Sequence, residues 1–431
     1  MRCLNILDYG AKNNCLCTTA IQNTINAAAL IDAVVVVPEG IYITGSLDLK
    51  SITLVLEKGS ILKGSSNIKD YKVLPIIHNE MEMINPLLYS VESDGVCIEG
   101  SGTIDLNAKA FFTDERIIPD YGVNFSEIQI KECTRKYKTR SFQPIFFWKC
   151  KNISLANFTV IDAPCWTFSF SQCENIRVNN LTIDNCLTVP NNDGMHFCGC
   201  KNVLISGCII SAGDDCIALT SITDWNIPTE NVVISDCVLR SCSKAISIGY
   251  MHSIVRDVTI KNCIIRESQR GIAIMSSTGT GLVENIIISG IVIETKVHAG
   301  NWWGNGEPIC IMAVNHNYDN YKFAVPKRNW KINITNIIIR DIICEAENTI
   351  AIIGEHKNIQ KIIIDGVLYQ QKESDNRYLK GEKCIDLAPS EKKVNANIRE
   401  DAVYCEEVSM IYINNVYSSS TSGAPLKTEI K

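Results

Sequence analysis

An all-β fold, a right-handed single-stranded parallel β-helix closed at its start by a helix, is predicted by three features of the sequence. A short motif recurs along the 431 residues, each copy alternates apolar and polar residues with β-branched enrichment, and Gly, Asn or Asp stands at its corners. Cys150-Lys151-Asn152-Ile153-Ser154-Leu155 returns as Cys173-Glu174-Asn175-Ile176-Arg177-Val178 and as Cys200-Lys201-Asn202-Val203-Leu204-Ile205. Further copies begin at Asn231, Asp257, Asn285 and Asn336, with a weaker one at Lys361. The first six anchors are 23, 27, 29, 26 and 28 residues apart, and the 51-residue gap to Asn336 is two periods or one with a long insertion. Alternation bounded by turn residues reads as strand, not helix. A repeat this short cannot bury its own apolar face, but stacked copies can.

The elements follow in order. A solenoid needs its first rung covered. Thr18-Thr19 offer a cap for a helix over 18–31 that carries Ile21, Ile25 and Ala28 on one face. Strands are expected near 41–43, 47–49 and 52–56. Three segments interrupt the repeat: 107–142, rich in Lys and Arg; 296–330, rich in Trp, His and Tyr; and 371–403, polar and charged. The first two are expected as loops over one face and the third as solvated surface. With no clear linker, 1–431 reads as one elongated domain.

Composition narrows the function. The chain is 46% hydrophobic with net charge −6, too apolar for disorder and too acidic for a nucleic-acid partner. No apolar run approaches membrane-spanning length, so no membrane partner is expected. The start, Met1 to Ala11, shows no basic, apolar and small-residue leader pattern. Twenty cysteines without a leader read as reduced thiols in a cytoplasmic protein. Cys150, Cys173 and Cys200, and likewise Cys208, Cys237 and Cys263, hold equal places in successive copies and suit a buried ladder. The closest pairs, Cys15/Cys17 and Cys198/Cys200, lack the second pair a zinc site needs. No metal is expected, and the oligomeric state is not legible.

Two segments carry chemistry: Pro190-Asn191-Asn192-Asp193-Gly194-Met195-His196 and Gly213-Asp214-Asp215-Cys216. Asp193 and Asp215 are 22 residues apart, about one coil, so the solenoid brings Asp193 beside Asp214 and Asp215. Three such carboxyls do not all ionise freely, and repulsion leaves an acid beside a base. One carboxyl to protonate a leaving oxygen and another to activate water is the equipment of glycoside hydrolysis. Turn residues at solenoid corners and a calcium site are the competing readings.

At these residues the sequence resembles the family 28 glycoside hydrolases, the polygalacturonase-like enzymes. Asn191-Asn192-Asp193-Gly194 matches the family's Asn-Thr-Asp-Gly with Asn for Thr, and Gly213-Asp214-Asp215-Cys216 is intact. Asp8-Tyr9-Gly10-Ala11, Val37-Pro38-Glu39-Gly40-Ile41-Tyr42, Gly100-Ser101-Gly102-Thr103-Ile104-Asp105 and Pro164-Cys165-Trp166-Thr167 extend the likeness over most of the chain. The resemblance implies a pectin-lyase-like solenoid, inversion of configuration and no cofactor. It implies Asp214 as general acid, Asp193 and Asp215 as the residues that hold and activate water, and Asn191 as their positioner. Two motifs depart from it. Lys244 stands where the family has the His of Gly-His-Gly, and Ala273-Ile274-Met275 stand for Arg-Ile-Lys, so both cations that grip a substrate carboxylate are missing.

Lys244, His252, Trp302, Trp303 and Glu307 complete the expected substrate-binding set, because aromatic faces and a polar partner suit a sugar. The expectation is an exo-acting hydrolase of terminal sugars on pectin-type oligosaccharides, with a neutral sugar favoured by the missing cations. A polysaccharide lyase or epimerase and a non-catalytic carbohydrate-binding solenoid are the alternatives.

Overall fold

The computed structural model describes residues 2–76, 83–119, 124–140, 143–221, 227–277, 281–300, 302–314, 333–373, 376, 401–423 and 425–430. The chain winds as a right-handed parallel β-helix. Its coils present three ladders of strands, and each strand pairs in parallel with its equivalent one coil on. One ladder has twelve strands, from Leu47–Asp48 through Met195–Cys198, Ile217–Thr220, Lys244–Gly249 and Arg270–Ser276 to Lys427–Ile430. The other two begin as separate short strands and merge in the later coils into long ones, Leu282–Thr295, Asn333–Ala346, Ile359–Gln371 and Val408–Ser419.

The anchors that mark the repeat are its corners. Asn152, Asn175, Asn202, Asn231, Asp257, Asn285, Asn336 and Lys361 all have φ between +52° and +59°. That left-handed turn costs most residues about 1–2 kcal/mol and is least costly to Gly, Asn and Asp. The stacked amides then bond to one another: Asn175, Asn202 and Asn231 each donate to the preceding asparagine at 3.0, 2.9 and 3.0 Å. Behind them the core is a set of columns, with Phe147, Phe170 and Phe197 stacked at centroid distances of 5.2 and 4.7 Å. The two cysteine columns are buried, and the described cysteines are free thiols.

The capping helix spans Thr18–Ile31 and buries Ile21, Ile25 and Ala28. Its N-cap is Cys17, not a threonine, and no side chain caps it. The Thr18 hydroxyl is instead engaged by the Gly45 N–H at 2.8 Å, tying the helix to the first coils. The 107–142 segment is more ordered than a loop. It carries an antiparallel hairpin, Phe112–Arg116 with Arg135–Tyr137, and a short helix, Glu127–Glu132, opened by a Ser126/Gln129 capping box. The 296–330 segment is a rung with an insertion: Ile309–Ala313 is a strand of the twelve-strand ladder. Residues 315–332 and 377–400 lie outside the described residues. Among the described residues no helix is long and apolar enough to cross a membrane.

Candidate active site

The twelve-strand ladder sets the site through its register. Met195 pairs with Ile217, Ile217 with Ile246, Lys244 with Arg270 and Ile272 with Ile309. Asp193, Asp215, Lys244, Arg270 and Glu307 therefore occupy one column on five successive coils, about 4.8 Å apart. The backbone confirms the alignment, with Gly194 N–H on the Asp215 carbonyl at 2.9 Å and Cys216 N–H on the Lys244 carbonyl at 3.1 Å.

Two buried amides hold the acidic segments together. Asn192 accepts from Gly213 N–H at 2.6 Å and donates to the Cys186 carbonyl at 2.9 Å, joining the two Asp motifs. Asn185 donates to the Asn192 carbonyl and to the Thr167 hydroxyl at 2.9 and 2.8 Å. Asn192 is the residue that departs from the family's Thr, and its amide carries the acceptor and the donor used here.

Asp193, Asp214 and Asp215 line one pocket with Asn191, His196, Thr220, Lys244, Ser247 and the rings of Trp166, Tyr250 and Trp303. The three carboxyls are buried, at 4%, 8% and 7% exposure. Burial first, then the charge of Asp215, pushes Asp193 well above the ordinary carboxylate range. Burial, then Asp193 and Asp215, does the same to Asp214. Lys244 opposes both shifts, and its Nζ lies 3.5 Å from Asp215 Oδ1 and 4.4 Å from the Trp303 ring centroid. Asp214 Oδ1 accepts the Asp215 N–H at 3.0 Å, and its Oδ2 accepts from Asn191 Nδ2 at 3.3 Å. The result is a set of interacting carboxyls in which burial and mutual repulsion favour the protonated forms of Asp193 and Asp214.

His196 belongs to the same set. Its Nδ1 is 3.2 Å from Asp193 Oδ2, its Nε2 is 2.9 Å from the Thr220 hydroxyl, and its ring stacks on Trp166 with centroids 3.7 Å apart. Burial lowers its pKa to about 3, so the imidazole is neutral at working pH. The alternation of the strand Met195–Cys198 was the signal for it: His196 points outward, on the face that carries Ala218 and Ser247.

The expected substrate-binding residues divide. Asn191, Lys244 and Trp303 line the pocket, whereas His252, Trp302 and Glu307 do not. Trp302 is buried, and its indole N–H reaches the carbonyls of Ala299 and Glu132 at 3.0 and 3.1 Å, so it anchors one inserted segment to the other. Glu307 is buried against Arg270, with contacts of 3.1 and 3.2 Å. Burial pushes its carboxyl up, but Arg270 outweighs this and holds it below the usual range. His252 sits in the turn after Tyr250 and Met251. Where the resemblance led one to look for cations, Ala273 and Met275 join Cys310, Met312, Val314 and Ala351 in an apolar cluster flanked by Tyr250. Among the described residues, no group of three or more His, Cys, Asp or Glu side chains is placed to hold a metal ion.

Comparison with known proteins bears on this arrangement. The sequence profile of the glycosyl hydrolases family 28 matches residues 33–384. A probable polygalacturonase of Vitis vinifera is 27% identical over 364 residues, covering 79% of this chain and 68% of that one. Among solved structures, an exopolygalacturonase of Thermotoga maritima superposes with a TM-score of 0.65 at 20% identity, over 86% of this chain and 88% of that chain. A family 28 exopolygalacturonase of Yersinia enterocolitica gives 0.63 at 16% identity, over 99% and 79%. At these identities the structural likeness shows the fold.

Proposed function

The chain belongs to the glycosyl hydrolases family 28 and is a glycoside hydrolase; on that premise we propose that it inverts configuration and removes terminal sugars from pectin-type oligosaccharides derived from galacturonan or rhamnogalacturonan. The observation that carries this reading is the gathering of Asp193, Asp214 and Asp215, all buried, in one pocket. Asp214 gives its proton to the glycosidic oxygen as the bond from that oxygen to C1 breaks. A water held by Asp193 and Asp215 attacks C1 from the opposite face and loses its proton to that pair, which inverts the centre. Neutral His196 holds Asp193 in place, and Lys244 lies against Asp215 at 3.5 Å.

Exo action is supported by the docking of the two inserted segments on each other. Glu132, at the end of the inserted helix, binds Ala299 N–H at 3.0 Å and Lys296 Nζ at 3.1 Å, drawing the 107–142 segment onto the segment that carries Trp303. A cytoplasmic location is supported by the buried free thiols; a cytoplasmic enzyme meets imported oligosaccharides rather than polymer.

We propose further that the sugar bound at the catalytic subsite is neutral. Ala273 and Met275 are buried in an apolar cluster and bring no cation to the pocket, Arg270 is engaged by Glu307, and Lys244 is engaged by Asp215. A buried substrate carboxylate left without a cation costs several kcal/mol. The test is kcat/KM on matched galactoside or rhamnoside and galacturonoside substrates. The neutral substrates are expected to lead. A galacturonoside ahead by about tenfold, or 1.4 kcal/mol, overturns the proposal and points to Lys244 leaving Asp215 for the sugar.

A further inference from the structure

The 107–142 insertion sends one side chain to the back of the site. Arg140 is buried, and its guanidinium lies 4.8 Å from the centroid of the Tyr137 ring. Nη1 donates to the Pro190 carbonyl at 3.2 Å, and Nη2 donates to Asn191 Oδ1 at 3.3 Å. Asn191 then donates through Nδ2 to Asp214 Oδ2 at 3.3 Å. A guanidinium has donors only. The amide oxygen of Asn191 must therefore face Arg140, and its N–H must face Asp214. A side-chain amide can otherwise turn over at little cost, since its two ends have nearly the same shape. Asn191 also sits at φ +54°, in a turn whose preceding carbonyl Arg140 grips as well. The insertion is fastened to the same turn by Arg135 N–H on the Thr188 carbonyl at 2.7 Å.

We propose that Arg140 is a positioning residue for Asp214, acting through the amide of Asn191, and that the insertion is thereby part of the catalytic unit. This rests on the assignment of Asp214 as general acid. Asp214 also faces Asp193, Asp215, Lys244 and Ser243, so Asn191 adds one donor to an already defined surround. Without Arg140 the Asn191 amide is released to turn its carbonyl toward Asp214, which favours the protonated carboxyl.

The experiment compares Arg140→Gln, Arg140→Lys, Asn191→Ala and the Arg140→Gln/Asn191→Ala double variant in the full chain. Arg140→Gln is expected to lower kcat by about tenfold or more, by analogy with the outer hydrogen-bond partners of metal ligands, whose loss costs about 10–100-fold. KM should change far less, and the alkaline limb of kcat/KM should move to higher pH. Arg140→Lys keeps the charge without the two-point fork and should fall between. Asn191→Ala removes the donor with the insertion intact, so it should move the limb the same way even if Arg140→Gln fails to fold. The double variant should add nothing to Asn191→Ala. An unmoved limb with a raised KM in Arg140→Gln, an unmoved limb in Asn191→Ala, or an additive double variant overturns the proposal. Asp214→Asn separates the two readings: if it is inactive, such results sink Arg140's role alone; if it stays active, the acid assignment falls and this proposal with it.

Discussion

Burial and two carboxylate neighbours act in the same direction on Asp214 and push its carboxyl well above the ordinary range. Replacing it with Asn should lower kcat by about 10²–10⁴-fold, the usual contribution of a general acid. Changes at Asp193 and Asp215 should be severe and non-additive with it. The same change should affect stability with a defined sign. A carboxyl whose folded pKa lies above its unfolded value binds protons more tightly when folded, so stability falls as pH rises from the unfolded pKa toward the folded one. Asn carries no charge to bury. Asp214→Asn should therefore melt above wild type at pH 7, with the gap closing as pH falls below the ordinary carboxylate range. A variant that melts lower at every pH would show that the carboxyl is structurally favourable as it stands. Asp193, Asp214 and Asp215 were legible from sequence because one coil separates the two motifs. The contacts of His196 and Arg140 were not, since each depends on which outward position or inserted residue lands beside the acidic turn. Trp302 and Glu307 misled for the complementary reason: residue type alone does not say which neighbour a side chain meets first.

The recurring anchor that revealed the solenoid is a backbone corner before it is a side-chain ladder. Asn202 has φ +57°, donates to Asn175 at 2.9 Å and accepts from Asn231 at 3.0 Å. Asn202→Ala should cost about 1–2 kcal/mol from the left-handed backbone alone, and Asn202→Gly should cost less because glycine adopts that turn freely. Denaturant midpoints of the two variants measure the difference. Equal loss in both would place the stabilisation in the amide ladder and not in the corner. The strands were legible through their alternation, and the Thr18–Ile31 helix through its apolar face. Its cap was misjudged because the Thr18 hydroxyl serves Gly45, a partner 27 residues away. The Glu127–Glu132 helix escaped notice although Ser126 and Gln129 spell its capping box. A charged six-residue helix has too little apolar periodicity to stand out.

Across the whole molecule, coils stack small thiols in two interior columns, Cys150/Cys173/Cys200 and Cys208/Cys237/Cys263. Titration of denatured, unreduced protein should find nearly all twenty cysteines free; several disulfides would instead place the protein in an oxidising compartment. The same stacking brings the three buried carboxyls together, and one inserted segment supplies Trp303 to their pocket. The central claim is that this cluster performs inverting hydrolysis, and the first-formed product reports on it most directly. Proton NMR during the first turnovers on an α-linked pectin-derived oligosaccharide should show the released sugar as its β-anomer, before mutarotation. An α-anomer appearing first would mean a retaining mechanism, and an unsaturated sugar would mean elimination; either result contradicts the account.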